Sequence, residues 1–245
     1  MKKIIRNDRT KNEGKSRLAD LQKELRSLSD QKRARSLAWF FKTGKGDYGE
    51  GDKFIGITMP DIHKIARRYQ SLGIPDLEKL VSSDIHEERM TALIIMTLKY
   101  PKEKEKFYKL YLKNRKYINN WDLVDVTCGR IVGDYLLDQS RDILYKFARS
   151  RNLWEKRIAI ISTAMFIRHN DFLDTLKIAE ILMKDRHDLI HKAVGWMLRE
   201  IGKKDKKTEE SFLNKNYKEM PRTMLRYAIE KFPERERKRY LKGEI

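Results

Sequence analysis

The stretch Asn119-Asn120-Trp121-Asp122-Leu123-Val124-Asp125 puts one aromatic ring and two carboxylates into a chain otherwise dominated by Lys, Arg, Leu and Ile. On a helix Trp121 and Asp125, four residues apart, share a face, while Asp122 lies about 100° round from Trp121. A ring beside a carboxylate suits a substrate that becomes positively charged, because the π face attracts cations and the carboxylate adds Coulomb stabilisation. The same residues also serve plain structure, with Trp121 in the core and Asp125 paired to an arginine. Both readings stand on these residues alone.

Other candidates are weaker. His187 and His191 have the i, i+4 spacing of metal ligands, but Asp188-Leu189-Ile190 between them supplies no general base of the H-E-x-x-H kind, and no metal is expected. Residues 43–56 hold five glycines and formally a G-x-G-x-x-G, yet a helical pattern precedes it where a strand is required, and no Gly-Lys-Ser/Thr follows. No cofactor is expected. Tyr48, on that glycine-rich turn, is either a surface contact or a ring that closes over a ligand. The single thiol, Cys128, has no histidine nearby in sequence.

The elements that would position these groups are all helical. Leu18, Leu21, Leu25 and Leu28 form a stripe after a cap at Ser16, and a second helix from about Asp30 ends in Trp39, Phe40 and Phe41, read as core. Pro60 suits a first helical position, Asp84 with Glu87 resembles a capping box, and Pro101 opens another helix. No segment alternates in polarity as a half-buried strand would. Residues 1–15 are polar and aperiodic and read as a flexible basic tail, leaving 16–245 as a single domain.

The helices repeat. Residues 88–92, 124–128, 156–160, 191–195 and 221–225 align with steps of 36, 32, 35 and 30 residues. That period predicts an all-α, HEAT-like solenoid of helix pairs with an extended concave face. At one place in successive repeats stand Arg89, Asp125, Arg157, Lys192 and Arg222, a basic ladder interrupted by one acid. Cations so arranged suit a phosphate backbone, each contact adding salt-sensitive, sequence-independent affinity. An Asp125 to Arg157 ion pair between repeats is compatible with that ladder. Trp196 and Arg199 follow Lys192 at helical spacing and share its face or the core, Trp154 reads as core, and Asp122 reads as helix surface or cap.

Composition points the same way. Fifty-five Lys and Arg against 36 Asp and Glu leave a net charge of +19, the balance of a protein that binds a polyanion. One cysteine excludes an internal disulfide framework and any cysteine-rich metal site. Neither a signal peptide nor an 18-residue apolar run is visible, so a cytoplasmic, nucleoid-associated protein without a membrane partner is expected.

Four motifs occur in register. They are Tyr48-Gly49-Glu50-Gly51-Asp52-Lys53-Phe54-Ile55-Gly56-Ile57, then Trp121-Asp122-Leu123-Val124-Asp125, Trp154-Glu155-Lys156-Arg157 and Lys192-Ala193-Val194-Gly195-Trp196-Met197-Leu198-Arg199-Glu200. Together they resemble the DNA alkylation repair family of AlkD-like alkylpurine DNA glycosylases, over about residues 16–235. The resemblance implies HEAT-like repeats and hydrolysis of the N-glycosidic bond of N3- and N7-alkylated purines in double-stranded DNA, by a monomer without lyase activity and probing the lesion without base flipping. It makes Asp125 catalytic, Trp121 and Trp196 aromatic walls at the lesion's sugar, Tyr48 a ring near the lesion and Arg157 a phosphate-side contact. Asn120 stands where relatives carry an aromatic. A non-catalytic HEAT-repeat binder of nucleic acid would keep the ladder without needing Asp125.

Overall fold

A computed structural model describes the backbone of residues 6–245 and the side chains of residues 17–245. The backbone of α1 begins at Arg6 and runs through Ser16, so the helix start expected at Ser16 is replaced by a longer helix; of the tail expected at residues 1–15, residues 1–5 lie outside the described backbone. Among the described residues the chain is helical, and its extended pairing is one isolated parallel bridge between Lys53 and Ile85. It divides into two compact units, one ending at Leu123 and the other running Val124–Ile245.

The first unit contains α1 (Arg6–Ser27), α2 (Gln31–Phe40), α3 (Met59–Arg68), α4 (Ile74–Val81), α5 (His86–Lys99) and α6 (Lys104–Asn114). Its centre is α5, buried along residues 86–96: a polar first turn, His86 to Arg89, is followed by Met90 and Ala92–Met96, which put apolar side chains on every side as expected of an interior helix. The stripes Leu21 and Leu25 of α1, Ile62 and Ile65 of α3, and Leu77 and Leu80 of α4 close over it. Asp30 caps α2 through Arg33 N, and Thr58 caps α3 through Asp61 N, with Pro60 in the first turn. The aromatic run at the end of α2 divides: Phe41 is buried, but Trp39 and Phe40, read from sequence as core, are exposed. Successive residues of a helix point about 100° apart, so one face cannot bury all three rings.

The glycine-rich loop after α2 is held down from α5. Glu87 accepts hydrogen bonds from the backbone N–H groups of Ile55 (3.1 Å), Gly56 (2.7 Å) and Ile57 (3.2 Å). Its expected capping-box role is therefore replaced: three loop amides take up the carboxylate, Ile85 occupies the N-cap without a side-chain bond, and Asp84 pairs with Lys53. Gly56 has φ +84°, and a Cβ there would stand 2.2 Å from Asp30 O, so this turn admits glycine alone.

Helix α7 (Trp121–Cys128) carries the division, its residues through Leu123 in the first unit and the rest in the second, and it widens into a π turn over Gly129–Gly133. The second unit continues with α8 (Asp142–Ala148), α9 (Leu153–Ser162), α10 (Ala164–Arg168), α11 (Leu173–Leu182), α12 (Asp188–Gly202), α13 (Lys206–Asn216), α14 (Arg222–Ala228) and α15 (Glu234–Lys242). Here α12 is central, packed against α9, α11, α13 and α14 through Ile190, Ala193, Val194, Met197, Leu198 and Ile201. Gly195 lets α14 approach: a Cβ on it would lie 2.4 Å from Met224 O and 2.5 Å from Tyr227 Cβ.

Candidate functional site

In the first unit a cluster of buried polar side chains sits behind Trp121. His86 Nδ1 contacts Asp52 Oδ2 and His86 Nε2 contacts Asp122 Oδ2, both at 2.9 Å. Burial opposes a charged imidazole, but hydrogen bonds to Asp122 and Asp52 and their negative charge outweigh it and raise the His86 pKa to about 9. Both ring nitrogens then donate at neutral pH. Burial also works against ionised Asp52, and His86 and Arg89 overcome it, holding this carboxyl below its usual value.

Asn120 completes the cluster. Its Nδ2 donates to Asp52 Oδ2 at 3.1 Å and its Oδ1 accepts from Trp121 N at 2.8 Å, tying the start of α7 to the glycine-rich loop. A small amide at this position fills a fully buried polar slot that an aromatic would not satisfy. Asp122, read from sequence as helix surface or cap, accepts from Leu123 N but also binds His86 and is largely buried. Rings then fix Trp121: Phe54 stacks on His86 with centroids 4.4 Å apart, and Phe41 stacks on Trp121 at 5.0 Å. Arg89, expected among the phosphate contacts, is buried and spends its guanidinium on Asp52 and on Ser83 O at 2.9 Å. Tyr48 is half-buried on the loop.

In the second unit Asp125 and Arg157 form a two-point pair. Arg157 Nε donates to Asp125 Oδ1 at 2.8 Å and Nη2 to Oδ2 at 2.6 Å, and Nη1 reaches Leu189 O at 2.5 Å. The Asp125 side chain is 13 % exposed and that of Arg157 6 %, so the acid is the less enclosed partner of the pair. Asn152 sets the start of α9, accepting from Trp154 N and Glu155 N, and so fixes where Arg157 emerges one turn later. Trp154 is buried, as read from sequence.

Trp196 is half-buried and donates to Glu200 Oε1 at 3.1 Å. It lines a groove of ≈ 490 Å³ with Arg168, Arg199, Glu200, Lys203 and Lys204 among its other walls. Arg199 pairs with Glu230, Lys192 with Asp188 at 2.7 Å, and exposed Arg222 donates to Leu241 O at 2.8 Å. His187 and His191 serve the backbone: His187 Nδ1 caps α12 at Leu189 N, and His191 Nε2 lies 2.6 Å from Asp185 O. Burial pushes the Cys128 thiol far up, which leaves it a poor nucleophile.

The family model described as DNA alkylation repair enzyme matches residues 21–232, nearly the whole chain. The chain belongs to this family. Its role is accordingly in DNA repair, with DNA as substrate. Its fold is similar to a predicted DNA alkylation repair enzyme from Enterococcus faecalis, with a TM-score of 0.67 and 16% identity over 84% of this chain and 98% of that one. It is also similar to smu.31 from Streptococcus mutans UA159, with a TM-score of 0.53 and 18% identity over 88% and 96%. No curated protein matches the chain at a significant level. Among the described residues no helix is long and apolar enough to cross a membrane.

For this repair enzyme the sequence motifs gathered Asp125, Arg157 and the two tryptophans, while Asp52 and His86 went unnoticed. Asp52 lies in a loop and His86 at a helix start, 34 residues apart. The run His86-Glu87-Glu88-Arg89 directly ahead of an apolar interior stretch was the available signal, since such groups need partners when buried.

Proposed function

We propose that the chain is a monofunctional DNA glycosylase that hydrolyses the N-glycosidic bond of N3- and N7-alkylated purines in duplex DNA, acting as a monomer and without flipping the base. Alkylation already makes the purine cationic. When the C1′–N9 bond breaks, its electron pair goes to the purine, which leaves neutral, and no general acid is required of the kind other glycosidases employ. The deoxyribose becomes oxocarbenium-like, water adds at C1′, and the water's proton passes to Asp125 or solvent.

The observation that carries this reading is the Asp125–Arg157 pair, a carboxylate held in fixed orientation on a side chain that is not fully enclosed. Fixed charge aimed at developing charge is what lowers such a barrier. At about 4 Å and an effective dielectric near 20 a carboxylate offers up to about 4 kcal/mol, roughly a thousandfold in rate. Arg157 opposes part of that field. Trp121 and Trp196 supply ring faces for the cationic sugar, and Trp121 lies four residues before Asp125 on α7, hence on the same helical face. Tyr48 lies beside the lesion. Lys192, Arg199 and Arg222 serve the phosphates from positions nearer solvent, and Arg89 supports the loop through Asp52.

Release of 7-methylguanine from methylated duplex DNA tests the proposal. The wild-type chain is expected to release base above the spontaneous rate, and Asp125→Asn to do so about a hundredfold more slowly when both are assayed well below the melting temperature of the variant, which loss of the buried Arg157 partner lowers. No release by wild type leaves a non-catalytic DNA reader in place of the enzyme; equal rates remove Asp125 from the chemistry.

A further inference from the structure

Helix α2 has no buried residue, and its last turn presents Trp39 at 84 % exposure beside Phe40 at 55 %. Tryptophan is seldom left so open, and adjoining exposed rings mark contact surfaces. With Arg35, Ser36 and Leu37 these rings line a shallow groove of ≈ 660 Å³. Lys32, Arg33 and Arg35 stand on the same helix, which has no carboxylate between Gln31 and Phe40, and exposed Lys42 and Lys45 follow it. The groove is therefore apolar at its centre with Arg35 as its cationic rim, while Arg33 is tied to Asp30 and to Gly56 O. Phe40 also touches Trp121 edge-on, with ring centroids 5.9 Å apart.

We propose that Trp39 and Phe40 form a stacking platform for a destacked nucleobase of damaged DNA, next to the nucleotide whose sugar Trp121 faces, with Arg35 on the adjoining phosphate. The placement beside the lesion rests on the reading of Trp121 given above. A base is the occupant that this chemistry fits: its π face matches an open indole, its phosphate matches the cationic rim, and aromatic stacking does not depend on base identity. A second copy of the chain fits poorly. Two rings bury some 150–250 Å² each, well below the ~800 Å² per partner of a stable interface, and basic rims repel each other.

The test uses the full chain and a duplex carrying one tetrahydrofuran abasic analogue next to a 2-aminopurine. Wild type is expected to quench the 2-aminopurine on binding. Trp39→Ala is expected to lose most of that quenching and to bind this duplex about tenfold more weakly, with unchanged affinity for intact duplex, an unchanged salt slope and an unchanged melting temperature. Trp39→Phe should restore part of the quenching. Quenching and affinity in Trp39→Ala equal to wild type overturn the platform. So does an equal loss on intact and abasic duplex, or a wild-type dimer in sedimentation that Trp39→Ala abolishes. Base release is scored separately: a wild type that releases no 7-methylguanine but shows Trp39-dependent quenching removes the glycosylase and keeps the platform.

Discussion

At Asp125 a single side chain meets two demands. A buried ion pair repays its desolvation only with good geometry, and the fork of Arg157 supplies two hydrogen bonds to the carboxylate plus a third to Leu189 O. A lysine keeps the charge but cannot form that fork. Arg157→Lys is therefore expected to slow base release about ten- to a hundredfold, and Arg157→Ala, which removes the charge, to leave the salt dependence of DNA binding as it is. A slope reduced by about one ion would instead make Arg157 a phosphate contact. The i, i+4 spacing of Trp121 and Asp125 and the repeat alignment of Asp125 with Arg157 were readable in the chain, and the ion pair was one of the readings they allowed. Which atoms of the guanidinium point where was not, because that depends on the position of Leu189 on a separate helix.

Among the elements, α12 does the most positioning, since it carries Lys192, Trp196 and Arg199 and packs along α14. Its close approach depends on Gly195, where a methyl group would meet Met224 O and Tyr227 Cβ inside van der Waals contact. Gly195→Ala is expected to lower stability by about 1–3 kcal/mol, a fall of several degrees in melting temperature, as overpacking generally does. A variant that melts with wild type would mean that α14 yields at this point. Asp30 and Pro60 marked the starts of α2 and α3 legibly, whereas α1 runs straight through the cap expected at Ser16 and Pro101 sits in a short turn ahead of α6. Glu87 was misread because its partners, the loop amides of residues 55–57, lie 30 to 32 residues away and nothing local predicts them.

For the whole molecule the buried titratable groups set how stability follows pH. His86 has a folded pKa of about 9 against an ordinary 6.5, so its contribution is fully present below about 6.5 and is lost as pH rises through about 9. Glu209 is buried, and desolvation with help from Glu210 raises its pKa to about 8 from an ordinary 4.5. A carboxyl kept neutral in the fold likewise loses stability as pH rises, here between about 4.5 and 8. The melting temperature is therefore expected to fall from pH 6 to pH 9, and Glu209→Gln to flatten the part of the fall below pH 8. A melting temperature that rises over this interval would contradict both assignments. With +19 net charge, DNA should raise the melting temperature most at low salt.

Helical periodicity, prolines and caps determined an all-α chain, and the motif order pointed to the DNA alkylation repair family, because both are written in local spacing. The pairing of Asp125 with an arginine was a candidate on the same basis. Tertiary structure alone decided that Arg89 is enclosed on Asp52, that Asp122 and Asn120 belong to a buried cluster around His86, and that Trp39 faces solvent while Phe41 does not. Each of these depends on which distant segment closes over a side chain. Burial of that kind is a property of packing between elements, and local spacing carries no record of it.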